Sequence, residues 1–361
     1  MLTCSIATII KSLFLLRRMK KKIIILGGGF AGSHVAKRLD KYFSVTLIDT
    51  KNYFEFTPGV LRTIVEPSHI KKIQVLHNHY LKWARIIIGK VDGIRKDFVS
   101  IGKQKIEFDY LVIASGSNYN APFKEQRVVF SMRAEHLKDC YNVLCRARRV
   151  LIIGGGLVGV ELAGEILDKY DNKEIIIVHS NDRLIERNSR KASDYAENYL
   201  KSRGVKILFE ERMIDKKGCF CIMQSGKKVR ADLVFLCTGI KQNYYFVDKK
   251  YLGERGIKVN NHLQLIGKKN IFACGDVSDI NEEKTAQNAE RQADVVYHNI
   301  CNLEKGKKLC EYKSKITPLV ISLGKNKGIF SKRDFVMTGF VPALMKSWIE
   351  KWEMYKKRRI W

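Results

Sequence analysis

Gly27, Gly29 and Gly32 stand at G-x-G-x-x-G spacing within residues 22–39, with Gly28 and the pair Phe30-Ala31 inside the motif. Glycines so spaced make a tight turn, let the backbone approach a pyrophosphate and let a helix pack closely on a strand. The helix that follows aims backbone N–H groups and the positive end of its dipole at that phosphate. Asp49 ends the next strand-like run about twenty residues on, where a carboxylate holds a ribose 2′-hydroxyl. Thr50 and Lys51 follow directly and are counted with the nucleotide contacts. The pattern then repeats: Gly154, Gly156 and Gly159 have the same spacing within residues 149–167, and residues 174–178 form the second strand. Here His179-Ser180 stands where the acid would be, with Arg183 nearby, so strict NADH preference is not expected and NADPH is admitted. Two complete motifs imply two dinucleotides, a flavin (FAD) and a nicotinamide donor.

These residues need strands and helices to hold them. Residues 22–39 read as buried strand, glycine turn and helix. Residues 84–113 alternate as short strands and turns (86–88, 98–101, 105–108) and read as a β-meander returning to a parallel sheet. Ala114-Ser115-Gly116 closes that part much as residues 233–239, ending in Thr238-Gly239, close the second. After the short strand at 270–274, Gly275-Asp276 offers a carboxylate for ribityl hydroxyls, or an Asp that caps the next segment. Residues 283–296 read as a helix with Ala286, Ala289, Ala293 and Val296 on one small apolar face. Its start near Thr285, set close to a flavin, stabilises negative charge on the reduced ring. The aromatic run 52–61 serves equally as lining for an isoalloxazine or as core.

Composition narrows the class. The chain has 361 residues, enough for two or three domains. At 45% hydrophobic and 29% charged it is neither disordered nor membrane-spanning in character. Lysine and arginine number 66 against 37 acids, a net charge of +29 that favours anionic membrane surfaces or nucleic acid. Charge spread over the whole surface is the plainer account, although Lys20-Lys21-Lys22 and Lys356-Lys357-Arg358-Arg359 concentrate some at the ends. Nine irregularly spaced cysteines suit a reducing compartment. No C-x-x-C or C-x₄-C follows the first glycine motif before Cys140-x₄-Cys145, so a redox disulfide facing a flavin is not expected. Electrons must then leave to something diffusible. Cys219-Phe-Cys221 and His77-Asn-His79 read as surface residues and not as metal ligands.

The two ends differ. Residues 6–16 form an apolar patch broken by Lys11 and followed by Arg17-Arg18, too short to span a bilayer and unlike a signal peptide. A membrane-associating segment, a targeting stretch and a true start at Met19 compete. Met19 is favoured because Met19-Lys-Lys-Lys enters the first strand directly. Residues 340–361 read as a helix with Pro342 in its first turn. Leu344, Met345, Trp348, Ile349, Trp352 and Tyr355 share an arc of about 140°. Lys346, Glu350 and Lys357 lie opposite, with Lys351 and Lys356 at the flanks. Aromatics with basic flanks suit a helix lying in the headgroup layer, each cation adding about 1 kcal/mol at an anionic surface. A helix packed on the protein's own body or on a dimer partner has the same pattern. No nucleic-acid motif accompanies it, and nucleic acid is not expected as a partner.

Residues 20–350 resemble the two-dinucleotide-binding-domain flavoproteins, and among them the type II NADH:quinone oxidoreductases, especially the ferroptosis-suppressor, apoptosis-inducing-factor-like branch. The resemblance is carried by Gly27 to Gly32 with Asp49, Ala114-Ser115-Gly116, 154–164, 236–240, 259–264, Gly275-Asp276 and 323–328. It implies an α/β fold of two Rossmann-like domains of the glutathione-reductase type plus a short C-terminal amphipathic segment. The FAD domain would comprise 20–118 and 243–330, the NAD(P)H domain 119–242, with an N-terminal extension 1–19 and a membrane-surface segment 331–361. It further implies that Asp49 and Asp276 bind FAD, that the second glycine motif binds NAD(P)H, and that Glu161 neighbours the nicotinamide–flavin stack. Residues 285–292 are similar to an Ala-Gln-x-Ala-x-Gln-Gln quinone-site motif, so Gln287 and Gln292 would line the acceptor site, with Lys351 at its membrane mouth. Arg291 replaces the first late glutamine, and Ala-Ser-Gly stands for Ala-Thr-Gly.

The implied reaction is ping-pong: hydride passes from NAD(P)H to flavin N5, and a quinone takes the electrons, without proton pumping. The protein would bind peripherally at the cytoplasmic face of a membrane, with homodimerisation open. Two other readings compete: a soluble NAD(P)H-dependent reductase of a small iron–sulfur protein, and a non-catalytic NAD(P)H-sensing binding protein. Sulfide oxidation would need reactive cysteines near the flavin, which the sequence does not place.

Overall fold

Both glycine motifs begin at the end of a buried, β-branched strand. In the computed structural model, which describes residues 20–119, 128–129 and 134–359, those strands lie in two parallel sheets of five strands each. The chain runs through β1 (Lys22–Leu26), α1 (Phe30–Leu39), β2 (Ser44–Asp49), β3 (Arg85–Ile88) and β4 (Tyr110–Ile113). Next come β5 (Val128–Val129), β6 (Arg149–Ile153), α2 (Leu157–Lys169), β7 (Glu174–Val178), β8 (Lys206–Leu208) and β9 (Leu233–Leu236). Last are β10 (Ile271–Ala273), α3 (Ala286–Glu304), β11 (Leu319–Ser322), β12 (Gly328–Lys332), β13 (Phe335–Gly339) and α4 (Phe340–Arg358). The N-terminal patch and the expected start at Met19 lie outside the described residues.

The chain forms two compact units. Among the described residues, the first takes those up to Phe54 with Leu76–Gly116 and Asn243–Ser314. The second takes Glu55–Val75, Ser117–Gln242 and Lys315 onward.

In the first unit the sheet order is β10-β4-β1-β2-β3, every pair parallel. Ile23, Ile24, Ile25 and Leu26 are all buried, because a parallel sheet is covered on both faces and its strands need no alternation. Ile24, Leu26, Leu111 and Ile113 pack with Val99, Phe108 and Ile257 into one core. The expected meander is corrected at its start. Arg85–Ile88 is the parallel edge strand, with Thr46 opposite Arg85, and only 93–94, 98–101 and 104–107 form the antiparallel sheet. At the sheet edge this isoleucine run is only partly covered: Ile86 and Ile87 are half-buried, with Ile87 packing on the core, and Ile88 is exposed. The aromatic run resolves as core at Phe54, which is buried edge-on to Phe30 with ring centroids 5.2 Å apart.

The second unit repeats the plan, in the order β5-β9-β6-β7-β8. Ile152 lies between Phe235 and Ile177 across parallel registers. The same unit adds an antiparallel sheet, β11-β12-β13, on which α4 packs.

Candidate dinucleotide sites and the C-terminal helix

The first site is built by glycines with different tasks. Gly27 has φ of +97°, donates its N–H to the Ile48 carbonyl at 2.8 Å, and would drive any Cβ into the Ala114 carbonyl. A Cβ on Gly32 would strike the Gly27 carbonyl, so α1 reaches β1 only because Gly32 has none. Gly29 is different. It caps α1 without any side-chain hydrogen bond, and a Cβ built on it meets nothing within 4 Å. That leaves open space in front of a helix N-terminus, the geometry that receives a phosphate.

Asp49 closes the site from β2. Its Oδ2 accepts the Gly28 N–H at 2.8 Å and lies 3.2 Å from His77 Nε2, while Oδ1 accepts from Lys51 N–H (3.3 Å) and the Thr50 hydroxyl (3.5 Å). Burial alone would raise the Asp49 carboxyl. His77, Lys51 and the Gly28 N–H more than offset this and hold it below the usual carboxylate range. His77, expected at the surface, is instead fully buried and anchored by the Tyr80 hydroxyl at 2.7 Å, because it backs the Asp49 carboxylate. Nothing in its spacing from Asp49 could have revealed it.

Gly275, at φ of +78°, has its Cβ position 3.2 Å from Ala31 Cβ and 3.7 Å from Ala289 Cβ. The first turns of α1 and α3 therefore meet at Gly275-Asp276. Thr285 caps α3, accepting the Asn288 N–H at 3.3 Å, and Ala286 begins the helix. Gln292 is buried, with Oε1 accepting from Gly275 N–H (2.7 Å) and the Ser278 hydroxyl (3.1 Å), and Nε2 donating to Glu282 (2.7 Å). Gln287 is exposed one turn earlier. Arg291 donates to Asn288 Oδ1 and the Lys313 carbonyl, over the Tyr312 ring. The Ser115 hydroxyl donates to the Asn243 carbonyl at 2.6 Å, between buried Ala114 and Gly116 at φ of +64°. An open helix end, a ribose acid and a second carboxylate at the meeting of two helix starts fit FAD. Cys274, next to this turn, is fully buried and its thiol is pushed up to about 12, which keeps it from being a nucleophile.

The second site follows the same rules. Gly154 has φ of +109° and donates to the Val178 carbonyl at 2.7 Å; its Cβ would hit the Cys237 carbonyl, and one on Gly159 would hit Gly154. Gly156 caps α2 with no side-chain partner and open space before it. Thr238 and Gly239 are exposed just past the end of β9. His179 takes the place that Asp49 has in the first site: Gly155 N–H donates to its Nδ1 at 3.1 Å, and its Nε2 lies 3.2 Å from Glu186 Oε2. These residues fit a nicotinamide dinucleotide.

Glu161, on α2, is buried. Its carboxylate accepts the Ser322 N–H at 2.8 Å and is ion-paired with Lys346 of α4. One turn on, Glu165 pairs with Arg62 at 3.0 Å and accepts the Ser322 hydroxyl at 3.1 Å. Glu350 of α4 lies 3.1 Å from His69. The polar side of α4 therefore faces its own unit. Trp348 (68% exposed), Trp352 (49%) and Tyr355 (51%) face outward, with the two tryptophan rings parallel and 5.9 Å apart. Lys351 is exposed on that outer side. From the sequence, Lys346 was placed only on the face of the helix opposite the aromatic arc, with no partner assigned. No described helix is long and apolar enough to cross a membrane.

Two parallel sheets, each opening on a glycine turn and a helix start that no side chain caps, define a flavin-dependent oxidoreductase that works with a nicotinamide cofactor. The chain belongs to the pyridine nucleotide-disulphide oxidoreductase family, which matches residues 21–293. It is 35% identical to apoptosis-inducing factor homolog A of Dictyostelium discoideum, across 91% of this chain and 89% of that protein. To ferroptosis suppressor protein 1 of Taeniopygia guttata it is 29% identical, across 90% and 92%. The structure of NDH2 from Plasmodium falciparum in complex with NADH shares the fold at a TM-score of 0.83, covering 94% of this chain and 97% of that one at 17% identity. The cofactors are FAD and NAD(P)H, as the two motifs led one to expect.

Proposed function

We propose that this protein is a peripheral membrane NAD(P)H:quinone oxidoreductase. The observation that carries it is α4: an amphipathic helix bound to its unit by its charged side, with Leu344, Trp348, Trp352 and Tyr355 outward. An apolar, aromatic face with Lys351, Arg358 and Arg359 exposed beside it suits the headgroup layer, where lipid quinones are met. The resemblance of residues 20–350 to the type II NADH:quinone oxidoreductases supports the same acceptor class.

When bound, FAD supplies the two-electron carrier between nicotinamide and acceptor. The chain supplies orientation and charge. The first turn of α1, beginning beyond Gly29, and the Asp49 carboxylate hold the dinucleotide. The α3 start and Asp276 hold the flavin end, and Gln292 keeps the Gly275 turn in place. Glu161 is the proton-handling side chain, its carboxylate oriented by Ser322 N–H and the Lys346 ammonium. Gln287 is the exposed amide left to meet the acceptor, and Lys351 the cation at the membrane side.

The test is stopped-flow absorbance on the flavin-loaded protein, mixed first with NADH or NADPH and then with a short-chain quinone. Bleaching of the visible flavin band followed by rapid recovery on quinone is expected. Bleaching without recovery on quinone, but with recovery on an iron–sulfur protein, would replace the quinone with a protein acceptor.

A further inference from the structure

The two dinucleotide sites use the same acid–imidazole pair in opposite order. In the first, the carboxylate of Asp49 receives the glycine-turn N–H, and His77 stands behind it. In the second, the imidazole of His179 receives the Gly155 N–H, and the carboxylate of Glu186 lies beyond. Because the Gly155 N–H can only donate, His179 Nδ1 must offer a lone pair. The ring proton then sits on Nε2 and points at Glu186.

We infer that Glu186, held through His179, supplies the ribose-gripping carboxylate of the second site and selects NADH over NADPH. This rests on the assignment of the second glycine motif to the nicotinamide dinucleotide. The acid absent from the strand end is displaced outward by one imidazole. Its side chain is 31% exposed, against 10% for Asp49, so it remains open to a ligand hydroxyl. A ribose 2′-hydroxyl donates to such a carboxylate. A 2′-phosphate brings close to two negative charges against it. Arg183, the cation that the sequence offered to a 2′-phosphate, instead donates to the backbone carbonyls of Asn188 and Glu186. Those bonds fix the loop that presents Glu186.

The test compares equilibrium binding of ADP-ribose and 2′-phospho-ADP-ribose to the FAD-loaded protein, with flavin bleaching by NADH and NADPH as a second readout. The wild-type protein is expected to favour the ligands without 2′-phosphate by roughly tenfold or more, the scale of one charged hydrogen bond. Glu186→Gln, which still accepts from His179, should weaken ADP-ribose by roughly 10- to 100-fold while leaving the 2′-phospho ligand equal or tighter. Adding His179→Asp to that variant returns a carboxylate to the strand end and should restore the preference. Equal wild-type binding of both ligands, or equal weakening of both by Glu186→Gln, would overturn the role of Glu186 and leave the dinucleotide site standing. No binding of either ligand to the wild-type protein would overturn both.

Discussion

Gly29 and Gly32 belong to one motif, yet replacing them should have opposite consequences. Gly32→Val puts a side chain into the Gly27 carbonyl and should abolish soluble expression or two-state folding. Gly29→Val meets no protein atom and sits at φ of −71°, so the melting temperature of the apoprotein should hold while FAD is lost on gel filtration. Gly156→Val should likewise keep FAD and lose NAD(P)H binding by about tenfold or more, the cost of blocking a phosphate cradle. Full flavin content in Gly29→Val would remove the phosphate from that helix end. Asp49 adds a pH signature. Its folded pKa is depressed, so its contribution is complete above the unfolded value of about 4 and is lost as pH falls through the lower folded value. Asp49→Asn should cost about 1–2 kcal/mol in urea unfolding at neutral pH, and the gap should close progressively below about pH 4. A gap that stays constant on acidification would show that charge plays no part.

Between elements, the bond that matters is the one from α4 to α2 through Lys346 and Glu161. Both groups are largely buried, so removing one leaves the other without its counter-charge. Lys346→Met should destabilise the protein by about 3 kcal/mol, and the double variant Lys346→Met/Glu161→Gln should recover most of that. Denaturant unfolding of the four proteins measures the coupling; simple additivity would mean that the pair does not hold α4. The helical period shows that α4 has two faces; Leu344, Trp348, Trp352 and Tyr355 of the apolar arc are exposed, while Met345 and Ile349 are half-buried. It could not show which face meets protein, because an amphipathic pattern is symmetric between an apolar core and an apolar exterior. The partners that break the symmetry, Glu161, Ser322 and His69, come from distant parts of the chain.

For the molecule as a whole, the net charge of +29 and the outward face of α4 make a joint prediction. Binding to vesicles containing anionic lipid should exceed binding to neutral vesicles and should fall as salt shortens the screening length to about 8 Å at 0.15 M and below that at higher salt. Trp348→Ser/Trp352→Ser should remove vesicle binding in co-sedimentation while leaving NADH-dependent flavin bleaching intact. Retained binding by that variant would assign the membrane contact to another surface.

The repeated glycine motifs, their strands and the flavin–nicotinamide pairing were legible in the residues alone, because a tight turn, a close helix and a phosphate each demand glycine at a set spacing. Such constraints are local, and local constraints are written in order along a chain. His77 behind Asp49, Glu186 behind His179, and Lys346 on Glu161 were not legible. Each is a side-chain contact made when separate strands and helices pack. The isoleucine run of Arg85–Ile88 shows the same limit, since apolar residues mark a strand but not which neighbour it joins or how far the sheet covers it. Hydrophobic pattern and glycine spacing set the elements and the cradle. Packing chose the partners of each buried charge, since a carboxylate or imidazole taken from water must find a donor or acceptor wherever the fold brings one.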